Sequence, residues 1–431
     1  MKRIATEHLK MWKERDDRKP LIIRGARQVG KTWLMKEFGK DCYERALYFN
    51  FDEEDDLKSI FESNKNPHRI IELLGLIRGT KVEAGKTLII LDEIQECPSA
   101  LNALKYFHEK ANEYHIITAG SLLGTLLAQP KTYPVGQVNL INIYPLSFDE
   151  FLMAVDPILF KFYLKIDSAQ NIEEIFHNKL LEVYNLYLIV GGMPECVRSW
   201  IENKDARKIL ELQRELVTIY ENDFAKHSGK VNSARILMVF RSIVSQLAKE
   251  NRKFIYGCVK EGARAREFEE AVEWLVSAGM LTRVYAVSKP EHPLPAFDRL
   301  NSFKLYLFDT GLLKCMAGID NEAILLKSKY HFKGALTENF VLQQIRELSP
   351  VEPRFYAGGS QEEIDFVLQH GMEIIPIEVK SEKNNKSSSF KKFIAKYKPK
   401  TAIRYSKMNA AKDGDITNLP LYLAHKTLEI I

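Results

Sequence analysis

The hydrophobic pattern of the chain changes period along its length. In the first third, apolar residues come in short unbroken runs: Leu21-Ile-Ile-Arg24, Ala46-Leu-Tyr-Phe-Asn-Phe51, Thr87-Leu-Ile-Ile-Leu-Asp92 and Tyr114-His-Ile-Ile-Thr-Ala119. Runs of this length fit strands buried on both faces. Between them, residues 6–14, 33–38 and 70–77 read as helices, and strands alternating with helices predict an α/β fold with a parallel sheet flanked by helices. From 148 to about 228 the apolar spacing becomes three and four, clearest at 180–188 and 210–220, so this segment is expected to be mostly helical. Helices are expected again at 236–247 and 268–277, followed by Gly279 and an extended run to Val287. A proline-rich stretch, 290–295, reads as a linker. Beyond it the pattern predicts strands at 303–308, 354–357, 363–368 and 373–381, a helix at 335–347, and turns at 309–311, 358–361 and 370–371.

Composition narrows the class without naming a partner. At 431 residues the chain exceeds one ordinary core, so two to four domains are expected. The apolar fraction of 45% is globular, and a net charge of +5 is modest for this size. The five cysteines (Cys42, Cys97, Cys196, Cys258 and Cys315) are scattered without a C-x-x-C pair, which argues against a disulfide framework or a zinc knuckle. Met1-Lys2-Arg3 could open a signal peptide, but Glu7, His8, Lys10 and Lys13 interrupt any apolar region behind it. No run is long enough to span a bilayer, so the expectation is a cytoplasmic protein with no membrane partner.

The first apolar run empties into Gly25-Ala-Arg-Gln-Val-Gly30-Lys31-Thr32, which fits the phosphate-binding pattern G-x-x-x-x-G-K-[ST] at every fixed position. A triphosphate needs backbone N–H groups turned inward around it, and glycines let the chain curl that tightly. Gly25, Ala26, Arg27, Gln28, Val29 and Gly30 would form the cradle. Lys31 would reach the β- and γ-phosphates and Thr32 would ligate Mg²⁺, with the phosphates at a helix N-terminus. Some sixty residues later an apolar run closes on Asp92-Glu93. The carboxyl end of a buried parallel strand opens into the ligand crevice, where Asp92 would hold Mg²⁺ and Glu93 would orient or deprotonate the attacking water.

Arg24-Gly-Ala-Arg-Gln-Val-Gly-Lys-Thr32, Leu91-Asp-Glu-Ile-Gln95, Ala119-Gly-Ser121, Tyr144-Pro-Leu-Ser-Phe-Asp-Glu-Phe151 and Gly191-Gly-Met-Pro-Glu195 occur in that order. Together they resemble the prokaryotic AAA-type ATPases that carry a C-terminal domain of unknown function. The resemblance covers nearly the whole chain, with one departure: many relatives have Gly-Arg where this chain has Gly136-Gln137. It implies a γ-phosphate-sensing polar group at the end of the 114–121 strand, Ser121 or Thr118, though a serine there also suits a plain turn. It further implies a helical lid in which Gly192 and Pro194 contact the nucleotide; a helix stop is the alternative and the better reading of Glu195. A homo-oligomer with an arginine finger is common in this class, but no residue here declares itself as one.

The layout of residues 236–287, two helices, a glycine and an extended run, is that of a winged helix-turn-helix. Lys249, Arg252, Lys253, Lys260, Arg264 and Arg266 lie in or beside its supposed recognition region. Such residues can grip DNA phosphates, while winged helices of AAA-type relatives also serve as packing modules, and both readings stay open. The expected division is an ATPase core at 1–147, a lid at 148–230, a winged helix at 231–290 and a C-terminal α/β domain at 291–431.

In that last segment, Glu338 on a helix, Asp365 on one strand and Glu378-x-Lys380 on the next resemble the PD-(D/E)xK nuclease superfamily, and so a restriction-endonuclease-like domain. The chemistry also follows from the pattern. Strand period two puts Glu378 and Lys380 on one face, and Asp365 on the neighbouring strand can join them. Asp365 and Glu378 can chelate a hard cation such as Mg²⁺, while Lys380 positions a nucleophile. Lysines crowd the following stretch to Lys400, as a DNA substrate would require. The sequence therefore supports two functions: an ATPase coupled to a Mg²⁺-dependent DNA nuclease, and an ATP-operated switch or DNA-associated regulator whose C-terminal domain binds without cleaving.

Overall fold

The computed structural model describes residues 1–120, 136–227, 232–325, 331–358, 362–382 and 388–431. The chain forms two units, residues 1–144 with 277–280, and residues 145–276 with 281–431.

The first unit is built on the apolar runs. β1 (Leu21–Arg24), β2 (Arg45–Asn50), β3 (Thr87–Asp92), β4 (His115–Ala119) and β5 (Asn139–Asn142) form a sheet in the order β2-β3-β4-β1-β5, with every pairing parallel. β3 and β4 are buried at each residue, which is why their sequence shows no alternation. Helices Lys31–Cys42, Pro67–Ile77 and Pro98–Lys110 each bury one apolar side. Leu101, Leu104 and Phe107 join Ile89, Leu91 and Phe49 in the main core. Because β1 and β3 are parallel and separated only by β4, their carboxyl ends open on the same side of the sheet.

The second unit carries the helical segment, including Phe148–Val155, Glu174–Val190, Pro194–Asn203 and Ala206–His227. The Ser-Phe-Asp-Glu motif has a structural use there. Ser147 and Glu150 form a capping box, and Asp149 accepts from the Tyr163 hydroxyl at 2.7 Å. The Gly191-Gly192 stretch is a helix boundary, the plainer of its two expected roles. Gly191 (φ +75°) ends one helix and Pro194 opens the next. The Gly192 N–H donates to Asp309 at 2.7 Å, and its carbonyl accepts from Leu146 N–H at 2.7 Å.

A mixed sheet organises the rest of this unit: β6 (Leu281–Val287), β7 (Asp298–Leu307), β8 (Arg354–Ala357), β9 (Glu363–His370), β10 (Glu373–Val379), β11 (Ala402–Ser406), β12 (Ala411–Asp413) and β13 (Ile416–Pro420), in the order β12-β13-β11-β10-β9-β8-β6-β7. Two expectations need correction. Residues 290–295 are not a linker between domains. They connect β6 to β7, which pair antiparallel, so the expected boundary at 290/291 falls inside a hairpin whose β6 also pairs with β8. Residues 309–311 are not a free turn either: Asp309 is a buried N-cap for the helix Thr310–Met316, accepting from Leu312 N–H at 2.9 Å. The helix Lys333–Ile345 is buried at every residue except Gly334.

Candidate functional site

The loop between β1 and the helix Lys31–Cys42 has a backbone that its glycines permit. Gly25 (φ +148°) and Gly30 (φ +94°) adopt conformations that L side chains avoid, and a Cβ on Gly25 would overlap the Ile143 carbonyl oxygen. Gln28 also has positive φ, +62°. Ala26 and Val29 are buried, Arg27 is partly exposed and Gln28 is exposed, so the loop is anchored by the Ala26 and Val29 side chains. Arg3 adds a clamp that no local pattern announced: its guanidinium donates to the carbonyls of Val29 at 2.8 Å and Tyr144 at 2.6 Å.

Lys31 is 6% exposed and donates Nζ to the carbonyls of Ala26 at 2.8 Å and Gly25 at 3.0 Å. Burial pushes its pKa down to about 8, against the opposing pull of Glu93 and Asp92. Thr32 Oγ1 donates to Asp92 Oδ2 at 2.6 Å, which joins the loop to the end of β3. The Tyr48 hydroxyl donates to the same oxygen at 3.0 Å, a contact the sequence did not signal. Burial, reinforced by Glu93, raises the Asp92 pKa, while the Thr32 and Tyr48 hydrogen bonds work the other way. Glu93 stands in the left-handed region (φ +50°), and its carboxylate accepts from Gln95 Nε2 at 2.6 Å. A non-glycine residue held there is strained, a feature that concentrates at functional sites. On β4 the Thr118 hydroxyl is fully buried with no hydrogen-bond partner among the described residues. Ser121 lies outside the described residues. Gly136-Gln137, the departure from the family pattern, is occupied locally: Gln137 bonds His108 and the Gly136 carbonyl accepts from Lys19.

The C-terminal constellation assembles within the second unit. Glu338, on the buried helix, is 3% exposed; Tyr306 donates to its Oε2 at 3.1 Å and Arg252 forms an ion pair with its Oε1. Burial and the nearby Asp365 charge push its pKa up to about 7, with Arg252 and Lys304 opposing. Asp365 Oδ2 accepts from Val379 N–H at 2.7 Å, and Glu378 pairs with Lys380. Burial opposes the charge on Lys380, but Glu378 holds its pKa above the usual lysine value. Lys304, fully buried, pairs with Glu363 at 2.5 Å. The four expected residues therefore do gather, together with Lys304 and Tyr306, which the sequence did not flag, and with Arg252, which was expected among the DNA-gripping residues and instead turns inward to pair with Glu338. Among the described residues no group of three or more His, Cys, Asp or Glu side chains is arranged to hold a metal ion.

A parallel sheet with a glycine-framed loop after β1 and an acid pair after β3 defines a P-loop ATPase-like domain. Residues 17–152 match a family described as an AAA domain, so the chain carries an AAA-type P-loop ATPase domain. Residues 181–323 and 333–423 match two further families, both described as domains of unknown function (DUF8612 and DUF4143). No curated protein matches the chain. Among solved structures it is similar to the Walker-type ATPase PABY2304 of Pyrococcus abyssi (14% identity, 72% of this chain and 94% of that one, TM-score 0.46). It is also similar to the Aeropyrum pernix ORC1 protein in complex with DNA (12%, 74% and 92%, TM-score 0.27). AMPPCP-bound DnaA from Aquifex aeolicus matches at 15% identity over 64% of this chain and 87% of that one, with a TM-score of 0.29. No helix among the described residues is long and apolar enough to cross a membrane.

Proposed function

We propose that the protein binds and hydrolyses ATP with Mg²⁺, and that its nucleotide cycle operates a C-terminal module acting on DNA. The observation that carries the ATPase reading is the 2.6 Å bond between Thr32 Oγ1 and Asp92 Oδ2. It joins a hydroxyl and a carboxylate, the hard oxygen donors that suit Mg²⁺. When bound, Mg²⁺ neutralises phosphate charge. The backbone N–H groups from Gly25 to Gly30 bind the phosphates, Lys31 contacts the terminal ones, and Glu93 orients the attacking water or takes its proton, with Gln95 holding the carboxylate.

For the C-terminal module, the likeness of Glu338, Asp365 and Glu378-x-Lys380 to the nuclease pattern favours a Mg²⁺-dependent phosphodiesterase in a restriction-endonuclease-like fold, while the carboxylates as placed do not form a metal site. Exposed Lys391, Lys392 and Lys396 on the helix Ser388–Tyr397 offer a polyanion contact. The helices Ser233–Leu247 and Ala265–Ser277 with the β6–β7 hairpin serve as a winged helix, and the exposed Lys260, Arg264 and Arg266 are its DNA-facing residues. One observation favours the second reading, a module that binds DNA without cutting: Glu338 and Glu378 are already matched by Arg252 and Lys380.

The deciding experiment incubates purified protein with single- and double-stranded DNA, with and without ATP, in Mg²⁺ or Mn²⁺. Cleavage that disappears in Asp365→Ala and Lys380→Ala establishes the nuclease. Retained DNA binding with no cleavage under any condition establishes the switch.

A further inference from the structure

Arg3 stands just ahead of the helix Ala5–Lys13, and its carbonyl accepts from Thr6 N–H at 3.1 Å, which ties its backbone to the start of that helix. The helix buries Leu9 and Trp12, and the Trp12 ring lies 6.5 Å from that of Phe38 on the helix Lys31–Cys42. Arg3 is thereby carried to the phosphate loop as part of one core, and it is itself 8% exposed. Its guanidinium spans two carbonyls: Nη1 donates to Val29 in the loop, and Nη2 donates to Tyr144 beyond β5.

The peptide group between Val29 and Gly30 is the one whose direction the loop's own residues leave open. In a trans peptide the C=O and the N–H point to opposite sides. Turning this unit over rotates Val29 ψ and Gly30 φ together, and it would take Gly30 from φ +94° into the negative range, which glycine occupies about as readily. Glycine therefore permits both orientations, and a carbonyl held by Arg3 permits one. With the Val29 carbonyl turned to the buried guanidinium, the Gly30 N–H faces away from it, toward the side of the loop that a phosphate can reach. Turned over, the same peptide would offer a phosphate its carbonyl oxygen. The bond from Arg3 is charge-assisted, and it polarises the peptide so that the N–H becomes a stronger donor.

We propose that Arg3 is a positioning residue of the phosphate site: by holding the Val29 carbonyl it fixes the direction of the Gly30 N–H, so that the loop meets a phosphate with this donor already turned to receive it. Arg3 acts through this one peptide group and not on the phosphate itself. The role rests on the reading of residues 25–32 as the loop that binds the phosphates of ATP.

Equilibrium ATP binding and steady-state hydrolysis of the full chain, at a temperature where each variant is folded, test it. In Arg3→Ala the loss of one aligned donor to a charged ligand is expected to weaken ATP binding by at least about tenfold. KM is expected to rise with it while kcat stays within about threefold, because the Gly30 N–H serves bound ATP and the transition state alike. Arg3→Lys keeps a cationic donor for the carbonyl and is expected to bind ATP more tightly than Arg3→Ala. A purely structural clamp would lower the unfolding midpoint and leave the folded protein's affinity alone, so wild-type affinity and KM in folded Arg3→Ala overturn the proposal. Lys31→Ala separates that failure from failure of the ATP-site reading. If Lys31→Ala loses ATP while Arg3→Ala keeps it, the phosphate loop stands and the positioning role falls; if the wild type binds no ATP, both fall. Should Arg3→Ala not fold, Arg3→Gln decides: weakened ATP binding by the folded variant supports the role, and wild-type affinity overturns it.

Discussion

Gln95 Nε2 donates to Glu93 Oε2 at 2.6 Å across the turn that follows β3. The bond fixes a carboxylate whose backbone is itself held at φ +50°. Glu93→Gln is expected to keep nucleotide affinity and to slow hydrolysis by about a hundredfold or more, the usual scale for removing a general base. Gln95→Leu removes only the orienting bond, and about a tenfold loss is expected. Steady-state hydrolysis beside equilibrium nucleotide binding separates the two effects. Weakened binding in Glu93→Gln would speak against its role in the chemical step.

The Lys31 ammonium, with its pKa held at about 8 by burial, sets a pH limit on binding. Phosphate contact requires the charged form. Affinity for ATP is therefore expected to be level below about pH 7, then to weaken by up to about tenfold per pH unit above about pH 8. Lys31→Ala is expected to abolish binding at every pH. Nucleotide titrations across this range check both statements, and a flat profile would show that the ammonium does not touch the phosphates.

Tyr48 shares Asp92 Oδ2 with Thr32. Tyr48→Phe keeps the ring and removes the hydroxyl, so Asp92 is expected to be less firmly oriented. The Mg²⁺ concentration for half-maximal hydrolysis is expected to rise about tenfold, in the range found when a partner of a metal ligand is lost. A Mg²⁺ titration at saturating ATP measures it.

His425 Nδ1 lies 3.0 Å from Asp149 Oδ2. Burial alone would lower the histidine pKa, but the Asp149 charge and hydrogen bond raise it to about 9. A raised folded-state value stabilises the fold fully below the unfolded value of about 6.5, and the contribution is lost as pH rises through about 9. Denaturant midpoints are expected to fall between those limits in the wild type and to fall less in His425→Gln.

At Gly192 a side chain would overlap the Leu146 carbonyl oxygen, and its own backbone groups hold Asp309 and Leu146. Gly192→Ala is expected to cost about 2 kcal/mol or more in stability and to leave the ATP affinity of the folded protein unchanged. Altered affinity at unaltered stability would instead support the nucleotide contact that the family resemblance implies.

The P-loop and the Asp92-Glu93 pair were legible because the residues that make them are contiguous and sit at strand ends, where the change from apolar to polar is visible in the sequence. Asp365, Glu378 and Lys380 were legible through strand period two. Their counter-charges were not. Arg252 reaches Glu338 across 86 residues and Lys304 reaches Glu363 across 59, and no local pattern encodes such pairings. Prolines at 290, 293 and 295 read equally well as a linker or as a strand connection, because both need an irregular backbone without ladder hydrogen bonds. Asp309 read as a turn residue because an aspartate N-cap and a turn aspartate share one local signature, and only its burial distinguishes them.

The β6–β7 hairpin determines where this protein can be divided. β8 is buried at all four residues and takes β6 as its neighbour. A polypeptide beginning at residue 291 would leave that edge of β8 unpaired and apolar, a template for the strands of other molecules. One ending at 290 would keep β6 without either of its partners. Proteolytic fragments or gene fusions split at the prolines are therefore expected to self-associate.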